Sequence, residues 1–338
     1  MRAVVLHEHG GPDKLIYESD WRDPAIGPGD VLLRMRACAL NYHDLFTRRG
    51  MPGITSPLPL ILGNDVAGEI VSVGPEVTGF TPGDRVLVDP IDRVAGGFLG
   101  DTMDGGLAEF VRVSAQMLVK LDPAIEYAEA AALPVAYGTA HRMMLTRGAI
   151  REGETVLILG ASGGVGTCSV QLARLAGATV LACASSEAKL AQLKSLGADI
   201  VINYATTDWV AECRRLFGRP RVFDRKGGGG IDMVVNFTGG ETWTRSLKVL
   251  RRGGRLLTCG ATAGYNPPED IRYIWTFELN ILGSNGWTRE DVTALIDLVR
   301  SKKLKPVLHP RRFCLAETRD AMTLLEERGM VGKIIVTP

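Results

Sequence analysis

What this 338-residue sequence lacks narrows its class before any motif is read. No apolar run approaches the length needed to span a bilayer. The N-terminal MRAVVLHEHGGP enters a strand pattern directly, without an apolar signal segment. The expectation is a cytoplasmic protein with no membrane partner. Charge of one sign is also missing: 39 Lys and Arg stand against 38 Asp and Glu. A formal net charge of +1 gives no long-range field for nucleic acid or an acidic surface. The six cysteines, Cys38, Cys168, Cys183, Cys213, Cys259 and Cys314, are scattered singly with no C-x-x-C pair. That argues against a disulfide framework and a clustered zinc site, and reads as small buried side chains. No internal repeat is visible.

What is present is a hinge of chemistry at Thr155 to Thr167, TVLILGASGGVGT. A β-branched and aliphatic run breaks into glycines and resumes with the one-sided apolar spacing of a helix, in the order strand, turn, helix. Gly160-Ala161-Ser162-Gly163-Gly164-Val165-Gly166 lets the backbone turn sharply and approach a ligand closely. The N–H groups and dipole at the helix start favour a diphosphate. The strict G-x-G-x-x-G spacing is not met, but a second strand, Ala178 to Ala184, completes the strand-helix-strand context of a dinucleotide site. Its end reads Ala184-Ser185-Ser186 with Lys189 one turn on, where an NAD site normally carries an Asp or Glu. Hydroxyls and an ammonium attract a 2′-phosphate, so the charge logic selects NADPH. A helix N-cap by Ser185 or Ser186 beside a solvated Lys189 is the other reading.

The 46% hydrophobic content supports two cores. Up to about residue 125 the chain is β-rich, with strand patterns at Ala3–Leu6, Val31–Ala37, Gly68–Val73, Arg85–Val88 and Ala108–Val113 between Pro/Gly turns. From Tyr127 an alanine-rich helix leads into alternating strand and helix patterns, the signature of a doubly wound parallel sheet. The tail ends in a lone strand, Lys333 to Val336, that returns to the β domain. The expected domains are 1–126 with 304–338, and 127–303.

The phrases GPDKLIYE, ALNYHDL, LGNDVAGEIVSVG, PGDRV, DGGLAEFV, EAAALPVAYGTAH and GKIIV, with the glycine loop, resemble the medium-chain dehydrogenase/reductase superfamily over the full length. The chain is similar to its zinc-free quinone oxidoreductase and enoyl-reductase branch. The resemblance implies an α/β protein with a GroES-like β-rich catalytic domain and a Rossmann cofactor domain. Zinc alcohol dehydrogenases hold the metal in C-H-x-D and G-H-E-x-x-G segments and by a cysteine before the cofactor domain. Here those segments read Asn41-Tyr42-His43-Asp44 and Gly63-Asn64-Asp65-Val66-Ala67-Gly68, with Val135 near the third position. Amides and valine do not make a tetrahedral zinc site. Asp89 to Gly106 also lacks the four-cysteine structural zinc lobe. A substitute cluster of Cys38, His43, Asp44 and Asp65 is the one metal arrangement left open.

Without a Lewis acid, an isolated carbonyl is hard to reduce, whereas a quinone or enone spreads the incoming charge and needs only hydrogen-bond donors. The resemblance places Asn41, Asn64 and Thr139 along the nicotinamide and substrate cleft. Asn41 and Asn64 are expected to orient the nicotinamide ribose or the oxyanion, and Tyr42 and His43 to give the proton. Each also has a bland reading, as turn caps for the asparagines and as a packed ring for Tyr42. The enoyl-thioester reductases' G-x-Y-G phrase is here Gly50-Met51-Pro52-Gly53, which leaves the proton donor open, solvent included. The resemblance also implies cofactor contacts from Tyr204, from Asn236 and Thr238 after one strand, and from Gly260 and Ala261 after the next. The basic segment Gly218 to Gly230 is expected at the amino edge of the sheet as a surface loop. Trp275 to Ser284 reads as a last, unpaired strand that a second chain would cover, giving a homodimer or a dimer of dimers. The commitment is an NADPH-dependent reductase of quinones or α,β-unsaturated carbonyls acting on a small molecule. The alternatives are an alcohol or aldehyde dehydrogenase with an atypical metal site and a crystallin-like NADPH binder with little catalysis. The wall segments Asp92 to Asp104 and Tyr265 to Thr276 follow no decodable motif.

Overall fold

A computed structural model describes the whole chain except Met51, Pro52, Ile54 and Asp224 to Gly227. The middle of the Gly50-to-Gly53 phrase and the centre of the basic loop therefore lie outside the described residues. In chain order the first strands are β1 (Ala3–Leu6), β2 (Leu15–Glu18), β3 (Asp30–Ala39), β4 (Leu60–Ile61), β5 (Asp65–Val73), β6 (Arg85–Val88), β7 (Phe110–Ser114) and β8 (Leu118–Lys120). The central ones are β9 (Thr155–Ile158), β10 (Thr179–Ala184), β11 (Ile200–Asn203), β12 (Ile231–Val235), β13 (Leu250–Thr258) and β14 (Asn280–Gly283). The last are β15 (Leu308–Cys314) and β16 (Lys333–Thr337). Among the described residues no helix is long and apolar enough to cross a membrane.

The chain forms two units, Met1–Ala136 with Val292–Pro338, and Tyr137–Asp291. These units divide the chain at 136/137 and 291/292 rather than at the expected 126/127 and 303/304, the first for a packing reason. Helix α1 (Tyr42–Arg49) is followed by α2 (Tyr127–Ala131), whose small buried Ala130 and Ala131 let it lie on β3, β5 and β6.

In the first unit β3 alternates buried and exposed side chains, as a sheet with one covered face requires. Its sheet runs β15-β16-β3-β5-β6-β8, with β7 also on β3, and a smaller sheet runs β2-β1-β4. β16 pairs antiparallel with β3, so the last strand of the chain brings Lys333 to the end of β3 beside Asn41. Apolar residues from both ends of the chain, Leu33, Val66, Val113, Phe313 and Val336 among them, share one core.

The second unit is a six-stranded sheet, β11-β10-β9-β12-β13-β14, parallel throughout. Strands β9, β10 and β12 are buried on both faces, as parallel strands covered by helices are. Its helices are α3 (Thr139–His141), α4 (Gly164–Leu175), α5 (Glu187–Ser195), α6 (Trp209–Phe217), α7 (Glu241–Leu247) and α8 (Arg272–Thr276); α9 (Arg289–Arg300) starts in this unit and runs mostly in the first, which also holds α10 (Thr318–Glu326). The expected strand at Trp275 to Ser284 is corrected: α8 ends in it, and only Asn280–Gly283 is extended. Glu278 has φ +50°, a left-handed turn that breaks helix from strand while the Leu279 N–H donates to the Ile274 carbonyl. β14 is one of the two edge strands of the sheet, with β11 at the other side. Gly230 donates to the Phe217 carbonyl, which brings together the two ends of the 218–230 segment between α6 and β12.

Candidate functional site

In the second unit the chain order reverses between β9 and β12, the switch point at which doubly wound sheets bind ligands. The glycine loop leaves β9 there. Gly160 adopts φ +65°, and a side chain on it would meet the Phe237 ring at 3.0 Å and Thr238 Oγ1 at 3.3 Å. A Cβ on Gly166 would meet Ala161 Cα at 2.5 Å, so glycine is what lets α4 start this close to β9. A Cβ on Gly163 meets only the Gly160 carbonyl oxygen, 3.7 Å away, which leaves open space above the loop. Gly163 caps α4 without a side-chain bond, leaving the first-turn N–H groups of Gly164, Val165 and Gly166 for an anion. Ser162, Gly163, Gly164 and Val165 are half-buried, whereas Ala161 is fully buried and serves packing. The residues fit a dinucleotide diphosphate.

Ser185 and Ser186 follow β10 half-buried, and Ser186 occupies the N-cap of α5 without donating or accepting a capping bond. Its hydroxyl is thus left for another partner. Lys189 lies one turn along α5, and the exposed Tyr204 donates its N–H to the Ala184 carbonyl at 3.1 Å. Sequence reading passed over Glu187, a carboxylate beside these hydroxyls that accepts from Asn203 Nδ2 at 2.7 Å. Thr238, Gly260 and Ala261 sit on loops after β12 and β13, joined by an Ala263 N–H bond to the Thr238 carbonyl at 2.7 Å. Thr139 is buried on α3. Asn236 is corrected as a cofactor contact. Its amide donates to Thr242 and Ser246 and accepts from the Thr238 and Gly239 N–H groups, so it builds the turn itself.

In the first unit the structure gathers Asn41, Asp65 and Lys333, all buried. Lys333 Nζ donates to Asn41 Oδ1, to the Leu40 carbonyl at 2.9 Å and to Asp65 Oδ2 at 3.2 Å. Asn41 Nδ2 donates to Asp65 Oδ2 at 2.9 Å and to the Ala39 carbonyl at 3.3 Å, and the Val135 N–H donates to Asp65 Oδ1 at 2.9 Å. Lysine fixes which end of the Asn41 amide is the oxygen. Both N–H groups of that amide are engaged, so it offers none for the oxyanion, one of the two roles expected of Asn41. Burial pushes the Asp65 carboxyl above its ordinary value, and Lys333 pulls it back. Asp44 accepts from the Asn41 and Gly63 N–H groups at 2.7 and 3.1 Å, and burial pushes it up to about 6. Gly63 has φ +101° with no room for a side chain against Cys38 Sγ and the Leu107 N–H, which fixes how Asn64 and Asp65 are presented. Burial also drives the Cys38 thiol well up, with Asp44 adding to it.

Asn64 donates Nδ2 to the Leu99 carbonyl at 2.6 Å, and its buried Oδ1 has no partner among the described residues. It offers an acceptor. Tyr42 points elsewhere, accepting from Arg328 Nε at 3.1 Å and packing edge-on to Phe46. His43, partly exposed, bonds through Nε2 to Asp101 Oδ2 at 3.0 Å and meets the Phe98 ring edge-on at 4.9 Å. Ser56 Oγ donates to Asp101 Oδ1 at 2.9 Å. Burial pushes Asp101 up, but the His43 and Ser56 bonds outweigh it and hold the carboxyl below its ordinary value. An ionised Asp101 fixes the hydrogen on Nε2 and leaves Nδ1 as the chemically free atom of the ring. Asp101 was missed because it lies in the undecoded segment Asp92 to Asp104, 58 positions from His43, and Ser56 because a lone loop serine carries no motif.

A glycine loop at the switch point of a doubly wound sheet, in a chain that also carries a β-rich unit, defines a dinucleotide-binding enzyme class. Residues 27–123 match the alcohol dehydrogenase GroES-like domain family, and residues 164–301 the zinc-binding dehydrogenase family. The chain is 34% identical over 344 residues to the quinone oxidoreductase of Mus musculus, covering 99% of this chain and 97% of that protein. It is 32% identical over 341 residues to the chloroplastic NADPH-dependent alkenal/one oxidoreductase of Arabidopsis thaliana, covering 100% of this chain and 80% of that one. A solved NAD-dependent alcohol dehydrogenase superposes with TM-score 0.91 at 35% identity, covering 100% of both chains. The chain belongs to the medium-chain dehydrogenase/reductase superfamily, in its quinone oxidoreductase-like branch. It is an oxidoreductase of the nicotinamide-dinucleotide kind.

The zinc in one family's name does not fit these residues. The corresponding positions hold two amides and a valine, and the nearby carboxylate Asp65 already faces the Lys333 ammonium. The substitute cluster fails as well: Asp44 is engaged by N–H groups and His43 by Asp101. Among the described residues no group of three or more His, Cys, Asp or Glu is placed to hold a metal ion.

Proposed function

We propose that the protein is an NADPH-dependent reductase of quinones or α,β-unsaturated carbonyl compounds that works without a metal. The observation carrying this reading is the buried lysine. Lys333 neutralises Asp65 and caps Asn41 beside the positions where zinc-dependent relatives bind their Lewis acid, so a cation of the protein itself replaces the metal ion. With no Lewis acid, an acceptor that delocalises the incoming charge is favoured over an isolated carbonyl.

When bound, the dinucleotide supplies hydride from its nicotinamide ring. The N–H groups of Gly164, Val165 and Gly166 hold its diphosphate, and Ser185, Ser186, Lys189 and Tyr204 hold the 2′-phosphate that distinguishes NADPH. Asn64 Oδ1 accepts one ligand N–H, which satisfies its buried lone pair. His43, when protonated on both ring nitrogens, hands the Nδ1 proton to the reduced substrate and returns to the Nε2–H form, which Asp101, itself held by Ser56, keeps in place. The activities for which the mouse and Arabidopsis relatives are named support the same acceptors. The open edge at β14 supports assembly as a homodimer or dimer of dimers, which light scattering at micromolar concentration tests.

The direct test of the reaction is cofactor oxidation followed by absorbance over a panel of quinones, enones, saturated aldehydes and simple alcohols. Conjugated acceptors should turn over with NADPH and alcohols should stay near background. A protein that binds NADPH but oxidises it with no conjugated acceptor, or that prefers alcohols, contradicts the proposal.

A further inference from the structure

We propose that the amino edge of the parallel sheet in the second unit carries a second anion site, for a small ligand bearing two phosphate-type charges. A cavity of about 330 Å³ opens there, bounded by the starts of β9, β12, β13 and β14 and by the turn from Arg147 to Arg151. It faces the opposite ends of the strands from the glycine loop, so it is not part of the dinucleotide site.

The charge count at its wall is uneven. Arg147, Arg151, Arg251 and Arg255 face Glu154 and Asp232. Arg255 pairs with Glu154 at 2.5 Å, and Arg251 pairs with Asp232. Those two acids are thereby taken, and Asp232 is further held by the Thr155 N–H at 2.8 Å. Arg147 is anchored through Nε to the Gly283 carbonyl at 2.9 Å, which leaves its terminal nitrogens for other partners. Arg151 contributes only its backbone N–H, to Glu154, and its guanidinium is exposed. Among the described residues, two cationic forks therefore remain against no anion. The guanidinium fork matches phosphate oxygens in pairs, and two of them call for a dianion.

The wall is also built rather than incidental. Arg255, with a side chain only 15% exposed, donates to the carbonyls of Gly148 and Ala149 at 2.9 and 3.3 Å. Ala149 stands at φ +44°, a left-handed conformation that alanine adopts at a cost and that these bonds hold in place. A side chain at Gly148 would meet Leu257 Cδ1 at 2.6 Å, so the turn fits closely against β13. The shape of the turn is thus set by the sheet edge, and it presents Arg147 and Arg151 at the same mouth.

Titration calorimetry with inorganic pyrophosphate, on enzyme saturated with NADPH so that the glycine loop is filled, tests the proposal. One equivalent should bind the wild type, and R147Q/R151Q should bind at least tenfold more weakly. The variant's turnover without pyrophosphate should be unchanged, because neither arginine belongs to the catalytic or cofactor-binding set. Hydrogen exchange on the wild type gives a readout independent of the variant, with amides of 147–154 slowing when pyrophosphate is added. No binding by the wild type, equal binding by the variant, or no protection of that turn would each overturn the site.

Discussion

Replacing Lys333 by methionine isolates the charge on which the functional reading rests. The ammonium is 3% exposed and its partner Asp65 is 0% exposed, so solvent does not screen the pair. Without it, Asp65 keeps only the Asn41 amide and the Val135 N–H, while Asn41 Oδ1 and the Leu40 carbonyl lose their donor. Breaking a buried pair by removing one member costs about 3–5 kcal/mol, mostly the burden of the stranded charge. A second substitution, Asp65→Asn, removes that charge. Its Oδ1 can still accept from Val135, and its Nδ2 can donate to Asn41 once that amide turns over. The double variant should therefore regain about 2 kcal/mol or more of the loss. Urea unfolding of the four proteins followed by circular dichroism at pH 7 gives the complete double-mutant cycle. A cost below about 1 kcal/mol for Lys333→Met would refute the reasoning, as would a double variant whose losses simply add.

Three further outcomes follow from the geometry. Asp101→Asn should lower turnover by about ten- to a hundredfold, the equivalent of a charge-assisted hydrogen bond, and alter the pH profile with little change in KM. Unchanged turnover and an unchanged profile would remove His43 from the reaction. Ser185→Asp, on a half-buried site unlike the buried Ala184, should erase an NADPH preference of about ten- to a hundredfold. Equal efficiency of the unaltered enzyme with NADH and NADPH would contradict the phosphate site. Asp44 holds its proton up to about pH 6 in the folded state against an ordinary 3.8, so its contribution to stability is complete below 3.8 and lost as pH rises through 6. The stability of the wild type relative to Asp44→Asn should fall by about 2 kcal/mol between pH 4 and 7. A difference that stays flat in urea titrations across that range would show that Asp44 is not buried as described.

The periodic parts of the chain were legible because their physics is local. The run from Thr155 to Thr167 carries its strand, turn and helix within one window, and the alternation of Val31 to Ala37 already marks the covered face of β3. The buried network was not legible for the opposite reason. Asn41 and Lys333 are 292 positions apart, and nothing near either says that they meet. A hint existed in GKIIV, where a lysine opens an otherwise apolar strand and so requires a buried partner. Asn41 was assigned a donor role because its amide type suits one, and only the spatial partners show both N–H groups engaged. Asp101 belongs to a wall loop shaped by tertiary contacts, with no periodicity to read. Trp275 to Ser284 misled because its apolar content suits strand and helix alike, and the left-handed turn at Glu278 decides between them.

The most direct test of the central claim is the rate of NADPH-driven quinone and enone reduction before and after exhaustive chelation, with metal content measured on the same samples. A Lys333 ammonium in place of a Lewis acid predicts the same rate in enzyme free of zinc and no gain when zinc is added back. Loss of the reaction on chelation and its return with zinc would contradict the account, and would turn attention to His43 and Asp65 as ligands of a metal.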